Sequence, residues 1–166
     1  GTRAPYKNFD FLIDQYSQWK CRQEFDLLVV GSDWTTYERN LLAELGISGN
    51  IRLLSNIDDK ELCGLYNQAA ALIYPSLWEG FGLPPLEALS CGCPVVASDI
   101  PSTREIAGDC PFYFDLTRSD SLIPAIERAI LEGRHPERGT KGIAQTKRYS
   151  WDVTAKSMLA LYQELM

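Results

Sequence analysis

Short apolar segments alternate with longer segments of helical periodicity along almost the whole chain. The apolar segments are rich in β-branched and aromatic residues, and strands that alternate with helices in this way form parallel sheets covered by helices on both faces. We therefore predict an α/β fold, a Rossmann-like doubly wound parallel sheet flanked by helices. The predicted strands are residues 25–31, 51–55, 71–76, 94–98 and 111–115. The predicted helices lie near residues 8–22, 35–45, 59–70, 84–92, 101–107, 119–132, 136–149 and 151–165.

The composition is that of one globular domain, and residues 1–166 contain no repeat, long linker or domain boundary. The net charge of −6 is spread without long runs of either sign, which argues against a general nucleic-acid or anionic-membrane surface. No apolar stretch reaches the roughly 18–20 residues of a membrane span, and the N-terminus has no signal-peptide pattern. We expect a soluble, cytoplasmic chain with no nucleic-acid partner and no membrane span.

The cysteines and the histidine indicate no metal or nucleophilic site. The 5 cysteines are an odd number scattered along the chain, which is typical of reduced thiols rather than a disulfide framework. Cys91 and Cys93 are separated by a single residue and no second pair follows, so we interpret them as small buried residues. His135, the single histidine, is expected on the surface, and Asp58 is expected to cap a helix. No metal cofactor is predicted.

The segment EGFGLPPLE, residues 79–87, indicates a function more clearly than any other. Gly80 and Gly82 allow the backbone to approach a ligand closely, whereas Pro84 and Pro85 suit the first turn of a helix. A glycine-rich turn that leads directly into a helix is the layout of an anion site.

The groups around that helix start are suited to a phosphate between two sugars. The N–H groups of Phe81, Gly82 and Leu83 would point out of the helix end, where the helix dipole favours an anion. Glu79 and Glu87 are poor phosphate ligands but good acceptors for the hydroxyl groups of a diol. The pattern therefore suggests a nucleotide that carries a sugar. The alternative for Glu87 is a first-turn acid that only favours the helix dipole.

Two cationic side chains and a hydroxyl group are further candidates for binding a phosphate. Arg3 and Lys7 precede the first helix and could neutralise a diphosphate leaving group, although a solvated terminus is the simpler interpretation. Ser76, at the end of a predicted strand, is equally suited to binding the phosphate and to capping the turn.

Residues 74–109, YPSLWEGFGLPPLEALSCGCPVVASDIPSTREIAGD, resemble the donor-binding half of retaining glycosyltransferases with the two-domain GT-B architecture. The similarity is to the group 1, family 4 set, whose Glu-x7-Glu motif is matched by Glu79 and Glu87. GTRAPYKNFDFLI at the start resembles the phosphate-binding segment of the family, and YSWDVTAKSMLALYQEL resembles its closing helix, so the resemblance covers nearly the whole chain.

The resemblance implies roles for the candidate residues. Glu87 would bind the two ribose hydroxyls, and Glu79 would hold the donor sugar or stabilise positive charge at its anomeric carbon. Lys7 matches the family's Lys-Asn pattern, whereas the spacing from Arg3 to Lys7 is shorter than in many members. The loop at Asn56 and Ile57 is where members hold the base through main-chain groups, and a bare turn is the alternative.

The family also implies the reaction and a second domain. The donor would be a nucleotide-diphosphate sugar such as GDP-mannose or UDP-glucose, used without a cofactor, and the product would belong to envelope polysaccharide or lipopolysaccharide. A separate N-terminal Rossmann-like domain would bind the acceptor, so we expect residues 1–166 alone to be inactive. The full-length enzyme would be cytoplasmic or peripheral to the inner face of the membrane.

Two expectations remain open at this point. A buried strand precedes the position of Gly1 in the family, so the sheet should be incomplete or altered in strand order unless residues 1–6 supply that strand. The alternatives to a glycosyltransferase half are a stand-alone nucleotide-sugar-binding module and a sugar-nucleotide epimerase or hydrolase of the same architecture.

Overall fold

The computed structural model describes residues 2–165 and confirms the alternation of strands and helices. The strands are β1 Leu27–Val30, β2 Ile51–Leu54, β3 Leu72–Tyr74, β4 Val95–Ser98 and β5 Phe112–Phe114. The α-helices are α1 Phe9–Gln18, α2 Thr36–Glu44, α3 Asp59–Gln68, α4 Leu83–Ser90, α5 Pro101–Ala107, α6 Leu122–Glu132, α7 Pro136–Thr146 and α8 Trp151–Glu164. Short 3-10 helices occur at Pro5–Lys7, Arg22–Glu24 and Ser119–Ser121.

The strands are parallel, as predicted, but those in the described residues form two separate groups. β1 pairs with β2, and β4 lies between β3 and β5. No ladder of hydrogen bonds joins the two groups within residues 2–165. Thr2–Tyr6 add no strand, since Pro5–Lys7 form a 3-10 helix there, and Gly1 lies outside the described residues. Within residues 2–165 the sheet is thus divided in two, which agrees with the expectation that it would be incomplete or altered in strand order.

The core lies on both faces of β4. Val96 belongs to a cluster with Ile13 of α1 and Leu122 of α6, all fully buried. Val95 points to the opposite face and packs with the side chains of α4 and α5, including Leu89. Burying side chains of this size stabilises a fold by roughly 1.5–3 kcal/mol each. Strand β4 is thus the middle of a helix–sheet–helix sandwich, which fixes the start of α4 relative to the strand ends.

Two helices begin with capping boxes that fix their first turns. In α2, the N–H of Glu38 donates to the Thr35 hydroxyl at 3.1 Å, and Glu38 accepts in return from the Thr35 N–H at 2.7 Å. In α3, the N–H of Glu61 donates to Asp58 at 2.8 Å. The prediction that Asp58 caps a helix is confirmed.

The last described helix, α8, buries none of its side chains. Every residue from 151 to 165 is exposed, including the large apolar side chains of Trp151, Leu161 and Leu165. An isolated helix of this length is marginal in water unless an apolar face packs against something. Among residues 2–165, no helix is both long enough and apolar enough to cross a membrane.

Candidate functional site

The N-terminal 3-10 helix lies against the loop that follows β3. The N–H of Leu77 donates to the carbonyl of Tyr6 at 2.8 Å, and the Tyr6 ring stacks on Trp78 with a centroid distance of 4.5 Å. Pro5 fixes the backbone angle of this turn, and Asn8 ends it in the left-handed conformation with φ 57°. The side chain of Lys7, which follows Tyr6 in this turn, is therefore directed to residues 79–82, the EGFG loop.

Lys7, Ser76 and Glu79 come together in this loop. The ammonium group of Lys7 donates to Glu79 Oε1 at 2.6 Å, and the hydroxyl of Ser76 donates to the same oxygen at 2.7 Å. Ser76 is fully buried, whereas the Lys7 side chain keeps 27% of its surface exposed. In this structure the Ser76 hydroxyl is bonded to Glu79 rather than to the backbone of the turn. Binding of Ser76 to a phosphate stays a prediction.

The electrostatics of this cluster favour an ionised carboxylate. Burial alone would raise the pKa of Glu79, but the hydrogen bonds from Lys7 and Ser76 outweigh it and hold that pKa below its ordinary value. Burial, followed by the carboxylate of Glu79, raises the pKa of Tyr74, so that phenol stays protonated. The Tyr74 hydroxyl is buried beside this carboxylate, and its interaction with Glu79 adds to the lowering of the Glu79 pKa.

The turn before α4 requires Gly82 and leaves backbone donors exposed to the site. Gly82 has φ 108°, a conformation that L side chains rarely adopt, and an added Cβ would lie 2.9 Å from the Ile106 side chain. Within the described part of the chain, the N–H groups of Phe81, Gly82 and Leu83 make no hydrogen bond. Because Pro84 provides no N–H, these three are the donors of the helix start.

The remaining positions of the turn are open to solvent. An added Cβ at Gly80 would meet nothing within 4 Å. The side chains of Phe81 and Leu83 are both exposed, and Phe81 meets the edge of Tyr149 at a centroid distance of 5.5 Å. The space beside the free N–H groups is therefore not filled by residues 2–165.

Glu87 is exposed on α4, and among the described residues its carboxylate has one hydrogen-bond partner, which lies on the neighbouring helix. The hydroxyl of Tyr66 on α3 donates to Glu87 Oε2 at 3.2 Å. Tyr66 is nearly buried, and burial, followed by the charge of Glu87, raises its pKa, so it remains a donor. One edge of the Glu87 carboxylate is thereby fixed and the other faces solvent.

Arg3 lies in a different environment from Lys7. Its guanidinium donates to Glu38 at 2.5 and 3.1 Å, and to the carbonyls of Ser32 and Asp33 at 2.9 Å each. It also stacks over Trp34, 4.6 Å from the ring centroid. In this structure the guanidinium is therefore engaged by the loop after β1, and contact with a phosphate would require an exchange of partners.

Asn56 and Ile57 follow the carboxyl end of β2, and within residues 2–165 no hydrogen bond joins them to the Lys7–Glu79 cluster. Asn56 is exposed in the left-handed conformation with φ 57°, and Ile57 leads into the Asp58 cap. The segment at residues 3–7 touches both the loop after β1 and the loop after β3, so the carboxyl ends of these strands face the same segment. In parallel α/β sheets, ligands bind at that edge.

His135 lies on the surface as predicted, exposed immediately before α7. The described cysteines are free thiols; Cys93 is buried as predicted, whereas Cys91 is only half-buried. Among residues 2–165, no group of His, Cys, Asp and Glu side chains is arranged to hold a metal ion.

Sequence reasoning missed three aromatic residues and one carboxylate. Tyr74 could have been found, because it lies two residues before Ser76 in the predicted strand 71–76, and alternate residues of a strand share a face. Glu38 could have been found as a capping residue, because Thr35 and Glu38 have the spacing of a capping box. Tyr66 and Tyr6 carry no such signal, since their partners Glu87 and Leu77 lie 21 and 71 positions away in the chain.

Comparison with known proteins agrees with this fold and this motif. A family model described as glycosyl transferases group 1 matches residues 1–145. The O-antigen chain mannosyltransferase B of Escherichia coli is 34% identical over 99% of the chain and 45% of its own length. The MMP alpha-(1->4)-mannosyltransferase of Mycolicibacterium hassiacum is 30% identical over 97% of the chain and 41% of its own length. The chain thus spans less than half the length of these relatives.

Solved structures show the same architecture. The sucrose-phosphate synthase of Thermosynechococcus elongatus superposes with a TM-score of 0.81 and 24% identity, over 97% of this chain and 43% of that one. HepE of Anabaena, solved with UDP and glucose, gives 0.80 at 20% identity, over 100% of this chain and 47% of that one. These proteins are GT-B glycosyltransferases. The fold is therefore that of one half of a GT-B enzyme, and the chain belongs to the group 1 glycosyltransferase family.

Proposed function

We propose that this chain is the nucleotide-sugar-binding half of a retaining glycosyltransferase. The observation that carries the proposal is the Lys7–Glu79 ion pair next to three backbone N–H groups that have no partner within residues 2–165. A cation, a carboxylate and free amides at a helix start supply the groups that a sugar diphosphate needs. Neither family membership nor the fold alone tests this role.

The phosphates would bind between Lys7 and the start of α4. Lys7 would leave Glu79 for the diphosphate, and the N–H groups of Gly82 and Leu83 would donate to the phosphate nearest the sugar. As the glycosidic bond breaks, negative charge collects on the departing diphosphate, so a cation and amides already in place lower the barrier to transfer.

The sugar would lie against Glu79. The hydrogen bonds from Lys7 and Ser76 both end on Oε1 of Glu79, and Oε2 would accept from a sugar hydroxyl or stabilise positive charge at the anomeric carbon. Phe81 would add its backbone N–H and Gly80 would provide room for the sugar ring. Ser76 would hold the Glu79 carboxylate in place when Lys7 moves to the phosphate.

The nucleoside would lie toward α3 and β2. Glu87, held by Tyr66 through Oε2, would accept from the two ribose hydroxyls. The main chain at Asn56 and Ile57 would hold the base. GDP-mannose is the preferred donor and UDP-glucose the second candidate, because several relatives are mannosyltransferases and two of them act on O-antigen chains by name. The product would be an envelope polysaccharide or lipopolysaccharide.

Arg3 is proposed to serve the diphosphate indirectly. Its bonds to Glu38, Ser32 and Asp33 fasten the N-terminal segment to the loop after β1, which places Lys7. Direct contact between Arg3 and a phosphate remains the alternative, because a guanidinium could exchange the two carbonyls for phosphate oxygens.

The acceptor would be bound by a second Rossmann-like domain that the relatives' greater length accommodates. We propose that the exposed apolar side chains of α8 pack against that domain. Transfer would then take place in the cleft between the two halves, in the cytoplasm or at the inner face of the membrane.

Calorimetric titration without added metal tests the proposal. GDP-mannose, UDP-glucose, GDP and UDP are added in turn to the chain and to its Lys7→Ala and Glu87→Ala variants. We expect one nucleotide series to bind and each variant to weaken it at least tenfold, whereas Lys20→Ala, which changes an exposed lysine after α1, leaves binding unchanged. Binding that survives both site variants would contradict the proposal.

Product analysis separates the alternative functions. A transferase half gives no turnover of the donor alone, whereas an epimerase or hydrolase converts GDP-mannose or UDP-glucose to a new sugar nucleotide or to free sugar. A chain that binds the donor but does not convert it could also be a stand-alone binding module. Addition of a separately expressed acceptor domain distinguishes the two, because only a transferase half would then transfer the sugar.

A further inference from the structure

Two cysteine thiols meet where α3 lies beside the end of α4. The Sγ atoms of Cys63 and Cys91 are 3.6 Å apart, although the residues are 28 positions apart in the chain. A disulfide bond is about 2.05 Å long, so closing the pair requires the two sulfurs to approach by about 1.5 Å. Rotation of two side chains about their Cα–Cβ bonds readily supplies motion of this size.

The two thiols differ in access. Cys63 is exposed to solvent, whereas Cys91 is half-buried. Burial, followed by the hydrogen bond with Cys63, raises the pKa of the Cys91 thiol. The guanidinium of Arg134, which donates to the Cys91 carbonyl at 3.1 Å, holds this end of α4 in place. Cys63 is therefore the thiol that a reagent reaches first, and Cys91 is the partner that can follow.

The other cysteines are separate from this pair. Cys93 is fully buried and its thiol donates to the carbonyl of Pro94 at 3.5 Å. Cys21 and Cys110 pack against different core clusters. The amide of Asn67 also donates to the Cys63 sulfur at 3.4 Å, which keeps that side chain turned toward α4.

We propose that Cys63 and Cys91 form a reversible disulfide when the chain meets a small-molecule disulfide such as oxidised glutathione. The Cys63 thiolate attacks one sulfur of the oxidant, whose S–S bond breaks and releases one glutathione thiol. The Cys91 thiolate then attacks the mixed disulfide at the Cys63 sulfur and releases the second glutathione. Two protein thiols are oxidised, one small disulfide is reduced, and the two protons from the cysteines end on the two glutathione thiols.

The bridge would join the two helices that form the Tyr66–Glu87 contact. Tyr66 lies three residues after Cys63, and Glu87 lies four residues before Cys91, each about one helical turn away. A covalent link would therefore restrict the motion of α3 relative to α4. The inference depends on the positions of the two sulfurs and holds whether or not the chain binds a nucleotide sugar.

The test exposes the chain to graded mixtures of oxidised and reduced glutathione, traps free thiols with an alkylating reagent and identifies the linked peptides by mass spectrometry. Trypsin would leave Cys63, Cys91 and Cys93 in one peptide, because no Lys or Arg lies between residues 61 and 103. A Glu-specific protease separates Cys63 from Cys91 by cutting after Glu79 and Glu87.

We expect a cross-linked peptide pair that has lost two hydrogen atoms and that a dithiol reductant separates. Cys63→Ser and Cys91→Ser should abolish the link, whereas Cys93→Ala and Cys110→Ser should retain it. Backbone amides in α3 should exchange at least several-fold more slowly in the oxidised form. The proposal is overturned if Cys63 stops at the glutathione adduct, pairs with Cys93, or stays free in mixtures that oxidise a model dithiol.

Discussion

Arg3 and Lys7 lie four positions apart, but their carboxylate partners have different environments. Glu38 is buried, is bonded through both oxygens and also caps α2. The Glu79 side chain is almost as buried, at 10% exposed against 8% for Glu38, but its cation Lys7 is 27% exposed whereas Arg3 is 9% exposed. A cation buried with its carboxylate stabilises the fold, whereas a partly exposed cation can leave its carboxylate for a ligand. At residue scale, the Arg3–Glu38 pair thus stabilises the fold, whereas the Lys7–Glu79 pair is suited to binding a ligand.

Glu38 should make the stability of the chain depend on pH. The hydrogen bond from Arg3, against the cost of burial, lowers the pKa of Glu38 to about 2 from an ordinary value of 4.5. Since the folded state has the lower pKa, this stabilisation is complete above pH 4.5 and is lost as the pH falls toward 2. The difference corresponds to about 3 kcal/mol. Urea unfolding at pH 7 and pH 3.5 should show a loss of about 1.4 kcal/mol from this group, because pH 3.5 lies one unit below 4.5 and the rest is lost only near pH 2.

The matched variant for this prediction is Glu38→Gln, which keeps the shape of the side chain but does not ionise. We expect it to be less stable than the wild-type chain at pH 7, by about 3 kcal/mol or more because Arg3 loses its counter-charge. The gap between the two should narrow at pH 3.5. A gap of the same size at both pH values would contradict the assigned ion pair.

At the scale of elements, the start of α4 combines backbone strain with open space. Replacing Gly82 by Ala puts a side chain at φ 108° and a Cβ near Ile106, so the free energy of unfolding should fall by about 2 kcal/mol. Gly80→Ala meets no neighbouring atom and should change that energy by less than about 0.5 kcal/mol. Urea unfolding of the two variants provides the comparison.

Nucleotide-sugar affinity should test whether Gly80 has a role in binding that is independent of stability. If the space at Gly80 receives the donor sugar, Gly80→Ala weakens binding while leaving stability unchanged. A Gly80→Ala chain with normal stability and normal affinity would argue that the sugar lies elsewhere.

The elements were predictable from sequence and their contacts were not. The first helical residue of α3 follows from the Asp58 cap, and that of α4 follows within one residue from the prolines after Gly82. The predicted strands overran the observed ones, for example by Phe25, Asp26 and Gly31 around β1, which itself spans Leu27–Val30. The partners of Arg3 and Glu87 could not be predicted, since a local pattern says nothing about which distant helix packs alongside.

On the scale of the whole molecule, we expect α8 to contribute little to the stability of the rest of the chain. Because residues 151–165 bury no side chain, a chain ending at Ser150 should keep its free energy of unfolding within about 0.5 kcal/mol. Its helical circular dichroism should fall in proportion to the residues removed. A loss of several kcal/mol would show that α8 packs on residues 2–150 in solution.

The central claim is that the EGFG turn and the start of α4 bind the phosphates of a sugar nucleotide. Nitrogen-15 NMR spectra of the chain, recorded as GDP-mannose or UDP-glucose is added, test it most directly. The account predicts that the amide signals of Phe81, Gly82 and Leu83 move first and furthest, that GDP or UDP moves those of Gly82 and Leu83, and that Lys7→Ala reduces these shifts. Shifts that cluster elsewhere on a folded chain, and leave these three amides unchanged, would contradict it.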